Sequence, residues 1–279
     1  MNRTILHKTP FRILATLLVA EAALMSKSLS QVQQPEPPPN PCSKIVNFAD
    51  ASPCWVKAAK AGEKNLRRAV FFKVNLDGID LSGADLSSAT IHTSQLKGAN
   101  LKGANLKRAY LGGSDFTGAD FTEANLEDAR WYSGIFKDVN FTRANFVHLL
   151  SPPKTEENAN FTEARFKDFS LMSMDLRTVT FTRIKTLGPI DLQNANLSGV
   201  DLSGLDLTFI YAPRADFSGA SFKGTNLTRA RIAGANFLGA DLRDANLTDA
   251  QVQGVDFGDA DFRGAILTGL KKDDKTKGL

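Results

Sequence analysis

A five-residue period runs through this chain from about Leu66 to Leu267, and it limits what the chain can fold into more than any other property. Gly83-Ala84-Asp85-Leu86-Ser87 recurs as Gly98-Ala99-Asn100-Leu101-Lys102, Gly118-Ala119-Asp120-Phe121-Thr122 and Gly239-Ala240-Asp241-Leu242-Arg243, with Leu or Phe at the centre and a small residue two before it. A strict short period is the mark of a solenoid. Five fits neither the 3.6-residue repeat of a helix nor the two-residue repeat of an unbroken strand, so each unit is a short extended piece followed by a turn. The central Leu or Phe and the small residue then point inward. The Asp or Asn before the centre and the polar pair after it face water.

This pattern, A(D/N)LXX, resembles that of the pentapeptide-repeat family, and the resemblance covers about three quarters of the chain. It implies an all-β fold, a right-handed quadrilateral parallel β-helix in which four pentapeptides form the four sides of one coil, so that residues twenty apart stack. The sequence carries that spacing itself: Phe121, Phe141, Phe161 and Phe181 are twenty apart, and so are Phe217, Phe237 and Phe257. Such aromatic ladders add about 0.5–1.5 kcal/mol per ring pair beyond burial. At a strand spacing of about 4.8 Å, roughly nine or ten coils make a rod on the order of 45 Å long. Each coil leans chiefly on its neighbours, so stability is nearly one-dimensional.

The N-terminal region has a different character. Arg3, Lys8 and Arg12 precede an apolar run from Ile13 to Leu24, and Ser28-Leu29-Ser30 follows, the layout of a secretory signal peptide over residues 1–30. The run is too short, and broken by Glu21, to span a bilayer comfortably; a retained N-terminal anchor is the other reading. Residues 31–41 form a stiff linker with Pro35, Pro37, Pro38, Pro39 and Pro41. Cys42 and Cys54 fall in a small segment, 42–65, ahead of the repeats, and in an exported protein they read as a disulfide. Pro53 at a first helical turn, Trp55 with Ala58 and Ala59, and Gly62 as a stop suggest a short helix that caps the first coil. The repeats fill 66–270, and Lys271-Lys272-Asp273-Asp274-Lys275 opens a solvated polar tail, 271–279. Export places the protein in the periplasm or, as the resemblance to a family abundant in cyanobacteria implies, in the thylakoid lumen, with no stable membrane span once the signal is removed.

Charge and chemistry narrow the function. The formal net charge is +4, yet Leu66 to Leu270 holds 22 Lys and Arg against 24 Asp and Glu, so the repeats are nearly neutral. Some members of the resembled family mimic duplex DNA and protect type II topoisomerases from quinolones, which needs a strongly negative surface and a cytosolic protein. Lys97, Lys102, Lys107, Arg108, Arg229 and Arg231 interrupt any such surface here, so a gyrase protector is the alternative rather than the main reading, and no nucleic acid is expected as partner. His7, His92 and His148 form no catalytic constellation with the nucleophiles or carboxylates, and His92, just after a central position, reads as surface decoration. Asp and Asn ladders such as Asp80 with Asn100 lack the glycine-rich nonapeptide of calcium β-rolls. No enzyme, metal or cofactor is expected.

Breaks in the period are the remaining signal. Between Phe146 and Phe161 the centres become Ser151 and Glu156 and a loop opens at Pro152-Pro153-Lys154; between Phe181 and Leu192 one extra residue is inserted, around Lys185 to Pro189. Stepping by twenty puts Trp131, Ser151, Leu171, Leu192, Ala212 and Ile232 on one wall, with the oversized Trp131 beneath the undersized Ser151. Outward from that wall point Arg130, Tyr132, Leu150, Pro152, Met172, Tyr211, Pro213, Arg214 and Arg231, the side-chain mixture of a recognition patch for a protein or polymer partner. The bland alternative is that loops and neighbours merely cover each other. A scaffold or rigid spacer is the function this leaves.

Overall fold

Turn chemistry sets the architecture. In the computed structural model, which describes residues 41–44, 48–148, 158–186 and 188–279, most pentapeptides close with a bond from the small residue's N–H back to the preceding central carbonyl, as in Ala84 to Leu81 at 3.1 Å and Ala119 to Phe116 at 2.9 Å. The second residue after the centre is left-handed at nearly every corner, with φ near 60° at both Gly83 and Arg108. That is the φ pattern of a type II turn. Four such corners bring the chain round once in twenty residues, and parallel pairing follows: Val70 with Thr90, Asp85 with Asn105, Asn105 with Asn125, Tyr211 with Arg231. The result is a right-handed quadrilateral β-helix, mostly bridges and very short strands. The expected signal peptide, most of the linker, and the loop holding Leu150, Ser151 and Pro152 lie outside the described residues.

Inside the tube the aromatic ladder is continuous. Phe141 lies 5.2 Å from Phe121 and 5.0 Å from Phe161 by ring centroid, and Phe161 lies 5.7 Å from Phe181. Trp131 is fully buried against Phe136 at 4.5 Å, and its indole N–H has no hydrogen-bond partner among the described residues. The core changes character at the extra residue. Pairing holds at twenty through Arg165 with Lys185 and Phe166 with Thr186, then steps to twenty-one at Phe169 with Ile190. The added residue therefore sits between Thr186 and Ile190, and the Thr186 hydroxyl donates to the Asp206 carbonyl at 2.8 Å across it. Phenylalanines give way to leucines there, and a void of about 20 Å³ remains among Phe166, Leu171, Ile190 and Leu207.

The N-terminal cap differs in one respect from its expected form. Helix α1 spans Phe48–Lys60, so Pro53 lies inside it rather than in its first turn. Pro53 is exposed and close to the start, so it removes a single bond, to the Ala49 carbonyl, that water can replace. The helix stops as Gly62 implies: Gly62, φ 82°, donates to Ala59 and Glu63 donates to Ala58, both Schellman bonds. Ser52, Trp55 and Ala59 form its buried face, and Ser52 Oγ accepts the Phe72 N–H at 3.0 Å. A disulfide joins Cys42 to Cys54.

Two further expectations are corrected. The outward Asp and Asn side chains are not simply solvated. Asn140 is half-buried: its Oδ1 accepts the Thr142 hydroxyl at 2.6 Å and its Nδ2 donates to the Thr122 hydroxyl at 2.9 Å. The tail is exposed in its side chains but tied in its backbone. Lys271 N–H donates to Ala250 and Lys277 N–H to Val255, while Asp273 Oδ1 accepts the Gly254 N–H at 2.8 Å. Asp256 pairs with Lys277, again twenty-one apart.

Candidate functional site

Register places the wall singled out in the sequence. Ser170 pairs with Asp191, Asp191 with Tyr211 and Tyr211 with Arg231, so these share a column; Tyr110 pairs with Arg130, which falls on the same side by the count of twenty. Tyr132, Met172 and Pro213 follow two residues after that column, and Arg214 occupies the next corner at φ 57°. Tyr132 and Met172 are 45% and 46% exposed, too much for side chains that only seal the core. Leu150 and Pro152 belong to this wall by count but lie outside the described residues.

Much of what stands on this wall was not foreseen. Phe72, His92, Tyr110 and Tyr132 stack along it, with centroid separations of 5.7, 5.5 and 6.1 Å. His92 is therefore no decoration: it is half-buried between Phe72 and Tyr110, and its Nδ1 meets the Gly112 carbonyl at 2.8 Å, which requires the proton on that nitrogen. Counting by twenty from Phe72 reaches His92, Gly112 and Tyr132, an apparent gap at the glycine. Tyr110 folds over Gly112 and fills it; a Cβ there would run into the tyrosine ring. The sequence signal was available in the pairing of Gly112 with a large residue two before it.

Farther along, Arg231 places its guanidinium 5.0 Å from the Tyr211 ring centre, and Arg229 lies 5.8 Å from that of Phe209. Phe209 sits on the adjoining corner. Corner side chains pair along the axis below it: Arg108 lies 3.7 Å from Asp128, and His148 lies 3.4 Å from Asp128 and 3.2 Å from Asp168. Elsewhere Lys107 pairs with Glu127 at 2.7 Å and Arg143 with Glu123 at 2.8 Å, so acidic rows are neutralised coil by coil. Among the described residues no group of three or more His, Cys, Asp or Glu could hold a metal ion, and no helix is long and apolar enough to cross a membrane.

Four-sided coils of pentapeptides, with Leu or Phe inside and polar ladders outside, define a solenoid class. The profile of pentapeptide repeats matches eight copies, over residues 57–87, 65–103, 94–130, 190–229, 213–249 and 245–271, more than half of the chain. The chain belongs to the pentapeptide-repeat family. Residues 131–189, unmatched, hold Trp131, the proline loop and the extra residue, yet the parallel pairing continues among the described residues there. Similar solved structures include HetL, a pentapeptide repeat protein involved in heterocyst differentiation regulation from the cyanobacterium Nostoc sp. Strain PCC 7120, 28% identical over 77% of this chain and 92% of that one, TM-score 0.35. They also include QnrB1, a plasmid-mediated fluoroquinolone resistance protein, 22% identical over 73% and 91%, TM-score 0.43. A third is a pentapeptide repeat protein of the Arabidopsis thaliana thylakoid lumen, 25% identical over 57% and 68%, TM-score 0.21. Among curated proteins none matches significantly.

Proposed function

We propose that this protein is an exported, non-enzymatic scaffold whose wall carrying Arg130, Tyr132, Met172, Tyr211, Pro213, Arg214 and Arg231 binds a protein or long polymer. The observation that carries the reading is the half-exposed Tyr132 and Met172 on the same wall as the Tyr211 and Arg231 stack. Tyr132 and Tyr211 stand about four coils apart, on the order of 19 Å, so one partner touching both is itself extended. The disulfide supports an oxidising compartment, such as a periplasm or thylakoid lumen. Neutralised acidic rows weigh against DNA mimicry and against nucleic acid as a partner.

The test is partner capture from the native compartment with the mature chain. Tyr132→Ala and Tyr211→Ala each weaken capture while the thermal midpoint stays within about 2 °C, as for surface changes of about 0.5 kcal/mol or less in a domain of this size. A lowered midpoint with undiminished capture would show that the tyrosines serve packing alone.

A further inference from the structure

We propose that the groove beside the twenty-one-residue step is a docking site for an extended peptide that carries a lysine or arginine next to a proline or aliphatic residue. It rests on the wall described above and gives that wall's partner a chemistry. The groove is open, about 490 Å³, with Pro189, Phe209 and Tyr211 as apolar lining and Asp168, Asp191 and Arg231 as charged lining. It occurs where the extra residue interrupts the regular corner, between Thr186 and Ile190.

Phe209 is the telling residue. It has φ 63° and is half-exposed. Every other non-glycine residue in the left-handed region, among the described residues, is polar or charged. A bulky ring at positive φ is an outlier, and here burial does not compensate for it. The left-handed φ is the corner's own, so what sets Phe209 apart is an apolar ring where the other such residues are polar. The ring instead lines the groove together with Tyr211, each with a guanidinium at its face, Arg229 for one and Arg231 for the other.

Charge selects the occupant. Asp191 Oδ1 is engaged by the Gln193 N–H at 2.9 Å, whereas Oδ2 has the Ser170 hydroxyl at a long 3.5 Å and retains capacity to accept. Asp168 supplies a second exposed carboxylate, facing His148. A cationic side chain suits the two aspartates, and a proline or aliphatic side chain suits the rings beside them. An anionic strand would meet both carboxylates, while the groove's own cation, Arg231, is turned onto the Tyr211 ring. An open groove without an enclosed pocket fits an extended segment rather than a small molecule.

The test uses the full chain and two labelled synthetic peptides, one alternating lysine with leucine and proline, the other with glutamate in place of lysine, followed by fluorescence anisotropy. The lysine peptide binds saturably, and Asp191→Asn and Phe209→Gly each weaken it at least fivefold. Glycine relieves the left-handed strain, so Phe209→Gly leaves the thermal midpoint unchanged or raised, which separates binding from folding. Equal binding of the glutamate peptide, binding indifferent to Phe209→Gly, or no saturable binding of the lysine peptide overturns the proposal. The wall and the groove fail separately. Partner capture that depends on Tyr132 but ignores Phe209→Gly and Asp191→Asn keeps the wall and removes the groove; peptide binding that depends on Phe209 while Tyr132→Ala leaves capture intact does the reverse.

Discussion

Asn140 and Phe141 show how neighbouring residues divide the labour of a coil. The ring is fully buried between two others at 5.2 and 5.0 Å, in a tube too regular to collapse around a gap. Phe141→Ala therefore costs about 3–5 kcal/mol in urea unfolding. Asn140 faces outward, as the period implies, but it belongs to a hydrogen-bonded chain that climbs the wall: Asp120, Thr122, Asn140, Thr142, Asn160 and Thr162 alternate as partners. Asn140→Ala costs about 1–2 kcal/mol rather than the few tenths of a bare surface position, because it strips partners from two threonines. Equal losses at the two positions would contradict the inward and outward assignment. Inside and outside were legible in the sequence because the five-residue phase fixes them. The Asp and Asn rows at a spacing of twenty were legible as well, as Asp80 with Asn100; the threonine rungs between them were not, since they join residues eighteen apart, as Thr122 with Asn140 does. The same holds for Tyr110 over Gly112, where a side chain enters a place that its own position does not face.

At the scale of elements, helix α1 works as a lid on an otherwise raw edge. Its Ser52 hydroxyl takes the Phe72 N–H that no earlier coil can accept, and Trp55 covers the apolar opening. Ser52→Ala leaves that amide unpaired and costs about 1–3 kcal/mol, with hydrogen exchange quickening first at Phe72. Reducing the Cys42–Cys54 bond removes a short closed loop and costs about 3 kcal/mol on the chain-entropy view. If exchange at Phe72 is unchanged by Ser52→Ala, the hydroxyl is not the cap. The cap as a whole was legible from Gly62, Trp55 and the paired cysteines. Its true start was not, because Phe48 to Ser52 lacks strong periodicity and an exposed interior proline resembles a first-turn one. The extra residue was legible for the opposite reason: strict spacing on both sides makes a shift of one visible.

For the whole molecule, surface carboxylates set the acid limit. The Arg243 side chain, bonded to Asp241 at 2.6 Å, holds that carboxyl down to about 2 from its ordinary 3.8. Arg263 lowers Asp261, Arg177 lowers Asp175, and serine hydroxyls lower Asp80 and Asp201. A depressed folded value contributes stability that is complete above the unfolded value and lost as pH falls through the folded one. The thermal midpoint is therefore level above about pH 5 and declines from about pH 4 to 2. All these groups are near solvent, so the decline is modest and shrinks in high salt. A midpoint that fell instead between pH 7 and 5 would place the sensitivity elsewhere.

The step from twenty to twenty-one between Thr186 and Ile190 also bears on how such a gene can lengthen. Copying or deleting twenty codons on either side of it adds or removes one coil with every Leu and Phe still inward. A crossover that pairs a unit before the step with one after it by simple multiples of twenty arrives one residue out of phase. In a five-residue repeat that slip carries the aspartate or asparagine into the core position and the leucine into water. The step thus divides the chain into two blocks that can each gain or lose coils but cannot exchange them at that spacing, and the groove stays at their junction whatever the length of either block.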